Sequence, residues 1–156
     1  MKVWLGGTLI KTKGVLSSRV ALITGASGGI GSACVRQFLS AGWQVAITAL
    51  PGPDLERLAG PDVLIVPGDI TSEHVRRQIV DETLARYGRI DVLVNNAGVG
   101  LYASPTAVEL DLMLRLFDVN VFAALAMAQA VIPTMRRVGS GSIVNIGSVA
   151  AFSSLP

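Results

Sequence analysis

The stretch Thr24-Gly25-Ala26-Ser27-Gly28-Gly29-Ile30-Gly31 leaves this chain few folds to choose from. It follows a short apolar run, Val20-Ala21-Leu22-Ile23, and opens a segment in which Ile30, Ala33, Cys34, Phe38 and Ala41 recur at helical spacing. A strand that turns through glycines into a helix offers backbone N–H groups and the positive end of the helix to an anion, above all a phosphate. On its own such a turn is a weak signal, because glycine also marks ordinary tight turns. The rest of the chain decides what it means.

After the turn, strands and helices alternate without interruption. Expected strands are Val20 to Thr24, Gln44 to Ala49, Val63 to Val66, Ile90 to Val94 and Ser142 to Ile146. Between them lie the helix after the glycine turn, a short helical piece at Asp54 to Ala59, a helix capped by Thr71 or Ser72 and stopped by Gly88, and a long helix from Thr106 to Arg137. Val75, Ile79 and Leu84 form the expected buried face of the third of these, and Pro133 is expected to bend the last turn of the long helix. Five strands with intervening crossovers predict an α/β fold, a doubly wound, right-handed parallel sheet of Rossmann type in the order 3-2-1-4-5. This domain occupies residues 19–156. Residues 1–18 read as a loosely ordered extension, since Gly6-Gly7, Lys11 and Lys13 interrupt its apolar start.

Composition supports a sheet covered on both faces. The chain is 51% hydrophobic and 15% charged, where an average soluble domain is about 25% charged. The net charge is only +2, and the pairs Arg76-Arg77 and Arg136-Arg137 read as solvated helix faces rather than a nucleic-acid footprint. The apolar run Val119 to Ile132 contains Asn120 and Gln129 and is shorter than the ~20 residues of a membrane span. The expectation is therefore a soluble, cytoplasmic protein with neither a membrane nor a nucleic-acid partner. Cys34 is the single cysteine and His74 the single histidine, so no intrachain disulfide and no histidine metal cluster is expected.

In an open sheet of this type, ligands bind beyond the C-terminal ends of the strands, where strand order reverses. Polar residues stand at those ends: Thr24-Gly25 after the first strand, Asp69 after the third, Asn95 after the fourth and Ser148 after the fifth. One such end could be a simple turn or cap, but four together point to a site. The glycines are spaced Gly25-x-x-x-Gly29-x-Gly31, and Asn95-Asn96-Ala97-Gly98 follows the fourth strand. With Asp69, Asn120 and Gly147-Ser148, this set resembles the short-chain dehydrogenase/reductase family over residues 19–156. Gly25, Gly28 and Gly31 also satisfy the G-x-x-G-x-x-G spacing of the extended nucleotide-sugar epimerases. The Asn95–Gly98 motif and the short length favour the dehydrogenases.

The resemblance implies an NAD(P)-dependent oxidoreductase acting on a small alcohol or ketone. Thr24, Gly25, Ser27, Gly28, Gly29, Ile30 and Gly31 would form the pyrophosphate turn. Asp69 would accept from the adenine amino group, with Ile70 beside the ring. Asn95, Ala97 and Gly98 would support the ribose and the central strand. Asn120 would help position an active-site lysine through a water, and Ser148 would hydrogen-bond the substrate oxygen. The family also uses a Y-x-x-x-K pair that lies further along the chain than Pro156. Here Tyr87 is followed four residues later by Asp91 and Tyr102 by Thr106, and the lysines are Lys2, Lys11 and Lys13. The expectation is a truncated, catalytically incomplete chain, with a non-catalytic dinucleotide-binding module or a non-functional fragment as alternatives. Thr48-Ala49-Leu50 at the end of the second strand carries neither the acid of an NAD site nor an arginine, which tilts the cofactor towards NADP. The family also implies a homo-oligomer built on the long helix, whose middle, Val121 to Ala128, is apolar nearly all round.

Overall fold

The computed structural model describes residues 2–5, 8–11, 18–104 and 106–148. Part of the expected extension, together with residues 149–156, lies outside them. Lys2–Leu5 (β1) and Thr8–Lys11 (β2) pair antiparallel as a two-stranded ribbon separate from the main sheet.

The main sheet contains Val20–Thr24 (β3), Gln44–Thr48 (β4), Val63–Ile65 (β5), Val92–Asn95 (β6) and Ser142–Asn145 (β7). Every neighbouring pair is parallel, and the spatial order is β5-β4-β3-β6-β7. Counted from β3, this is the expected 3-2-1-4-5. Register places Thr24 beside Thr48 and Asn95 beside Asn145, so the strand ends that carry polar residues line up along one edge.

Because side chains alternate along a strand, the apolar strands feed two cores, one on each face. Leu22 and Ala46 pack with Ile79 from Glu73–Tyr87 (α3) and with Met127 and Val131 from Ala124–Val138 (α5). Ala21, Ile23, Val45 and Ile47 pack with Val35 from Gly29–Ser40 (α1) and Leu55 from Pro53–Glu56 (α2). All five residues of β3 are buried, as the central strand of a covered sheet should be.

Three local expectations need correction. On α1 the buried positions are Gly31 and Val35, while Ile30 is 57% exposed and Ala41 lies on the surface. Cys34 and Phe38 pack against the core as expected, beside Leu39, while Gly31 abuts the turn in place of Ile30. On α3 the fully buried face is Ile79, Val80 and Thr83, with Val75 and Leu84 only half-buried; Ser72 occupies the N-cap position without a side-chain capping bond, and Gly88 stops the helix as read. The fourth strand begins at Val92 rather than Ile90 because Asp91 starts the ladder with its side chain. Its N–H donates to Val20 O (2.8 Å), and its Oδ2 accepts from Val20 N (2.8 Å) and from Arg89 Nε (2.8 Å).

The long helix is not uniform. It comprises Leu110–Phe117 (α4), a π-helical segment Asp118–Ala123, and α5, which runs through Pro133 to Val138. It starts later than Thr106 because Ala107 N closes a turn on Ser104 O (2.9 Å). Among the described residues this is the one helix long and apolar enough, by length and composition, to cross a membrane. Its inner face nevertheless belongs to the sheet's core through Ala123, Met127, Val131 and Met135. Its outer face leaves Leu110, Leu114, Phe117, Val121 and Leu125 exposed.

Candidate functional site

A cleft of about 380 Å³ opens at the C-terminal ends of β3, β4, β5 and β6. It falls within the usual size of a small-molecule site, ~300–1,000 Å³. The glycine turn forms one side through Gly25, Ser27 and Gly28. The floor and far side come from Thr48, Ala49 and Leu50 after β4, and from Gly68, Asp69 and Ile70 after β5. Asn96 to Val99 close it from β6, and Arg115 and Val119 reach over from the long helix.

Two kinds of glycine build the turn. Gly25 has φ +64°, and a Cβ on it would stand 2.7 Å from Ala97 Cα. A Cβ on Gly31 would meet Gly25 O at 2.3 Å and Asn96 Nδ2 at 2.6 Å. These two let β6 and α1 close upon the end of β3. A Cβ on Gly28 or Gly29 would meet nothing within 4 Å. There the absence of a side chain keeps space open over the N-terminus of α1, where an anion is favoured.

The turn is fixed to β6 by a reciprocal set of hydrogen bonds. Thr24 Oγ1 accepts from the backbone N–H groups of Asn96 and Ala97, both at 3.0 Å. Asn96 Nδ2 donates to Thr24 O (3.0 Å) and Gly25 O (2.9 Å). On the opposite side, Ala26 N donates to Thr48 O at 3.3 Å.

Asp69 is the most constrained polar group of the cleft. Its Oδ1 accepts from Thr71 N (2.9 Å) and Thr71 Oγ1 (2.8 Å), and its Oδ2 from Arg115 Nη2 (2.6 Å). Partial burial would raise its pKa, but the donors from Thr71 and the Arg115 guanidinium outweigh that and hold the carboxyl below its ordinary value. The Thr48 hydroxyl is buried and has no partner among the described residues. An open space above the glycine turn and an ionised acceptor across the cleft fit a bound dinucleotide.

The structure brings Gly25, Ser27, Gly28, Asp69, Ile70, Ala97 and Gly98 together around this cleft. Thr24 and Asn95 lie behind it, against a smaller void. Asn95 Nδ2 donates to Ala124 O (3.1 Å) and Asn145 Oδ1 (2.9 Å), so it ties β6 to the long helix and to β7. Gly29, Ile30 and Gly31 do not line the cleft. Asn120 sits in the π-helical segment and clamps Val99, accepting from its N–H at 2.8 Å and donating to its C=O at 2.9 Å. Ser148 lies exposed beyond the end of β7. Asn96 and Arg115 have no assigned role in the sequence-based site, yet both shape it. Burial pushes the Tyr87 phenol above its ordinary pKa, the wrong direction for a proton donor at neutral pH, and Tyr102 is 85% exposed.

Residues 19–156 match the family defined as short chain dehydrogenase. The chain belongs to the short-chain dehydrogenase family. As such it is of an oxidoreductase family whose members generally bind NAD(P). Among its relatives are a dehydrogenase/reductase SDR family protein 7-like of Drosophila melanogaster, 31% identical over 100% of this chain and 51% of the relative, and an acetoacetyl-CoA reductase of an Acinetobacter species, 34% identical over 84% of this chain and 56% of the relative. The fold is similar to a short-chain dehydrogenase from Streptomyces avermitilis, with TM-score 0.82 and 35% identity over 88% of this chain and 52% of that one. It is also similar to serine dehydrogenase from Escherichia coli, with TM-score 0.80 and 29% identity over 87% of this chain and 65% of that one. The chain thus spans about half the length of the curated relatives it matches.

Proposed function

We propose that this short-chain dehydrogenase chain forms the cofactor-binding part of an NAD(P)-dependent oxidoreductase acting on a small alcohol or carbonyl substrate. The observation that carries the reading is the cleft itself, with open space over Gly28 facing the ionised Asp69. In it, Gly25, Ser27 and Gly28 would hold the pyrophosphate at the N-terminus of α1, with Gly29, Ile30 and Gly31 completing the turn behind them. Asp69 would receive the adenine amino group, with Ile70 flanking the ring. Asn95, Ala97 and Gly98 would support the ribose side.

The cofactor would supply a hydride, and the growing charge on the substrate oxygen would need a hydrogen-bond donor and a proton. Ser148, beyond the end of β7, would donate to that oxygen. Asn120 would order the segment at Val99 and help place a lysine. Residues 1–156 hold no Y-x-x-x-K pair, so we expect the 156-residue chain to bind cofactor without turning over substrate. NADP is the favoured form, because Thr48-Ala49-Leu50 at the end of β4 carries no carboxylate to repel a 2′-phosphate. The exposed apolar face of the long helix supports a homo-oligomer for a longer parent protein, and the reading places it in the cytoplasm.

The test is a fluorescence titration of the purified chain with NADPH and NADH, beside an assay of ketone-dependent NADPH oxidation. Saturable binding, tighter for NADPH, with no turnover is expected. Tighter NADH binding would reverse the cofactor preference, and measurable oxidation would overturn the expected inactivity.

A further inference from the structure

Arg115 stands on α4, while Asp69 and Thr71 lie in the loop after β5, 46 and 44 residues earlier in the chain. Its guanidinium forks across both: Nη2 donates to Asp69 Oδ2 at 2.6 Å and Nη1 to Thr71 Oγ1 at 3.0 Å. Thr71 Oγ1 in turn donates a hydrogen bond to Asp69 Oδ1. A carboxylate offers about four acceptor sites over its two oxygens. Thr71 fills both of those on Oδ1 and Arg115 one of those on Oδ2. The loop carrying this carboxylate is itself pinned, because Arg76 Nη1 donates to Ile70 O (2.8 Å) and Thr71 O (2.6 Å).

We propose that Arg115 is a positioning residue for base selection, fixing Asp69 so that one acceptor site on Oδ2 faces the cleft and selects a purine bearing an exocyclic amino group. This rests on the proposal that a dinucleotide occupies the cleft with its base at Asp69. An acceptor-only group held in one orientation pairs with the 6-amino group of adenine and is left facing an oxygen by the 6-oxo group of hypoxanthine. The arginine has two effects. Its charge favours the carboxylate form, an acceptor and not a donor, and its fork removes the rotational freedom that would let the carboxylate turn away.

The experiment compares dissociation constants of the tighter-binding of NADPH and NADH with those of its hypoxanthine counterpart, for the wild-type chain, Arg115→Met, Arg115→Lys and Asp69→Asn. The wild type should prefer adenine by about tenfold, the scale of one hydrogen bond to a charged group. In Arg115→Met the preference should fall at least about threefold through weaker adenine binding, with hypoxanthine affinity little changed. Arg115→Lys, which keeps the charge and loses the fork, should fall between. Asp69→Asn should abolish or invert the preference, because the amide can donate to the 6-oxo group. Arg115 is surface-exposed, and a cooperative thermal transition in each variant would show that it folds. If the wild type prefers adenine and Arg115→Met keeps the full preference, or loses both affinities equally, the role of Arg115 is overturned while the dinucleotide reading stands. If the wild type binds neither compound, the dinucleotide reading falls and the base selection with it.

Discussion

Thr24 and Asn96 hold each other across the ends of β3 and β6: the threonine hydroxyl accepts two backbone N–H groups, and the asparagine amide returns two bonds to Thr24 O and Gly25 O. Replacing Thr24 by Val keeps the shape and strands the Asn96 and Ala97 N–H groups. We expect a loss of about 2–3 kcal/mol in denaturant unfolding, the cost of unpaired donors near the core. Asn96→Ala should cost less, since its amide group is only half-buried.

The glycines of the turn should separate into two classes. Gly31→Ala sets a Cβ 2.3 Å from Gly25 O, and overpacking of that kind costs about 2–3 kcal/mol. Gly28 has extended backbone and open space around its Cα, so Gly28→Ala should alter stability by less than about 0.5 kcal/mol. The same methyl would enter the volume assigned to the pyrophosphate and weaken NADPH binding by about tenfold, or ~1.4 kcal/mol. Urea denaturation and cofactor titration of both variants check the split.

Asp91 anchors the start of β6 to the start of β3 and pairs with Arg89, whose pKa it raises. Asp91→Ala should destabilise the chain by about 2–3 kcal/mol, because it leaves the Val20 N–H and a partly buried guanidinium without their acceptor. Asp91→Asn should recover part of that loss through its amide oxygen. Thermal unfolding of the two variants measures the difference.

The Asp69 carboxyl is held below its ordinary pKa, so its contribution to stability is present above the unfolded-state value and lost as pH falls through the folded one. Asp69→Asn should therefore be less stable than wild type at neutral pH, with the gap closing in acid. Melting curves from pH 7 down to about pH 3 bracket the carboxylate range. A gap that widened in acid would contradict the assignment.

Strand placement was legible in the sequence because covered parallel strands are written as continuous apolar runs, and the order followed from the alternation of strand and helix. Strand and helix ends were less so where local packing intervenes: Asp91 replaces ladder bonds at β6, and Gly31, not Ile30, abuts the turn at the start of α1. The polar strand ends were visible in Thr24, Asp69 and Asn95. Arg115 was not, because its partner lies 46 residues away and nothing near either residue signals the pairing. Asn96 stood inside a quoted motif, but only the packed turn shows that it joins β3 to β6. The π-helical segment around Asn120 leaves no mark in the spacing of an already apolar helix.

The claim on which the rest depends is that a dinucleotide sits between the glycine turn and Asp69. Backbone hydrogen exchange of the 156-residue chain, measured with and without saturating NADPH, tests it most directly. Protection should appear at Ser27 to Ile30 and at Asp69 to Thr71, and be small along the outer face of the long helix. Unchanged exchange at both segments in the presence of NADPH would contradict the account.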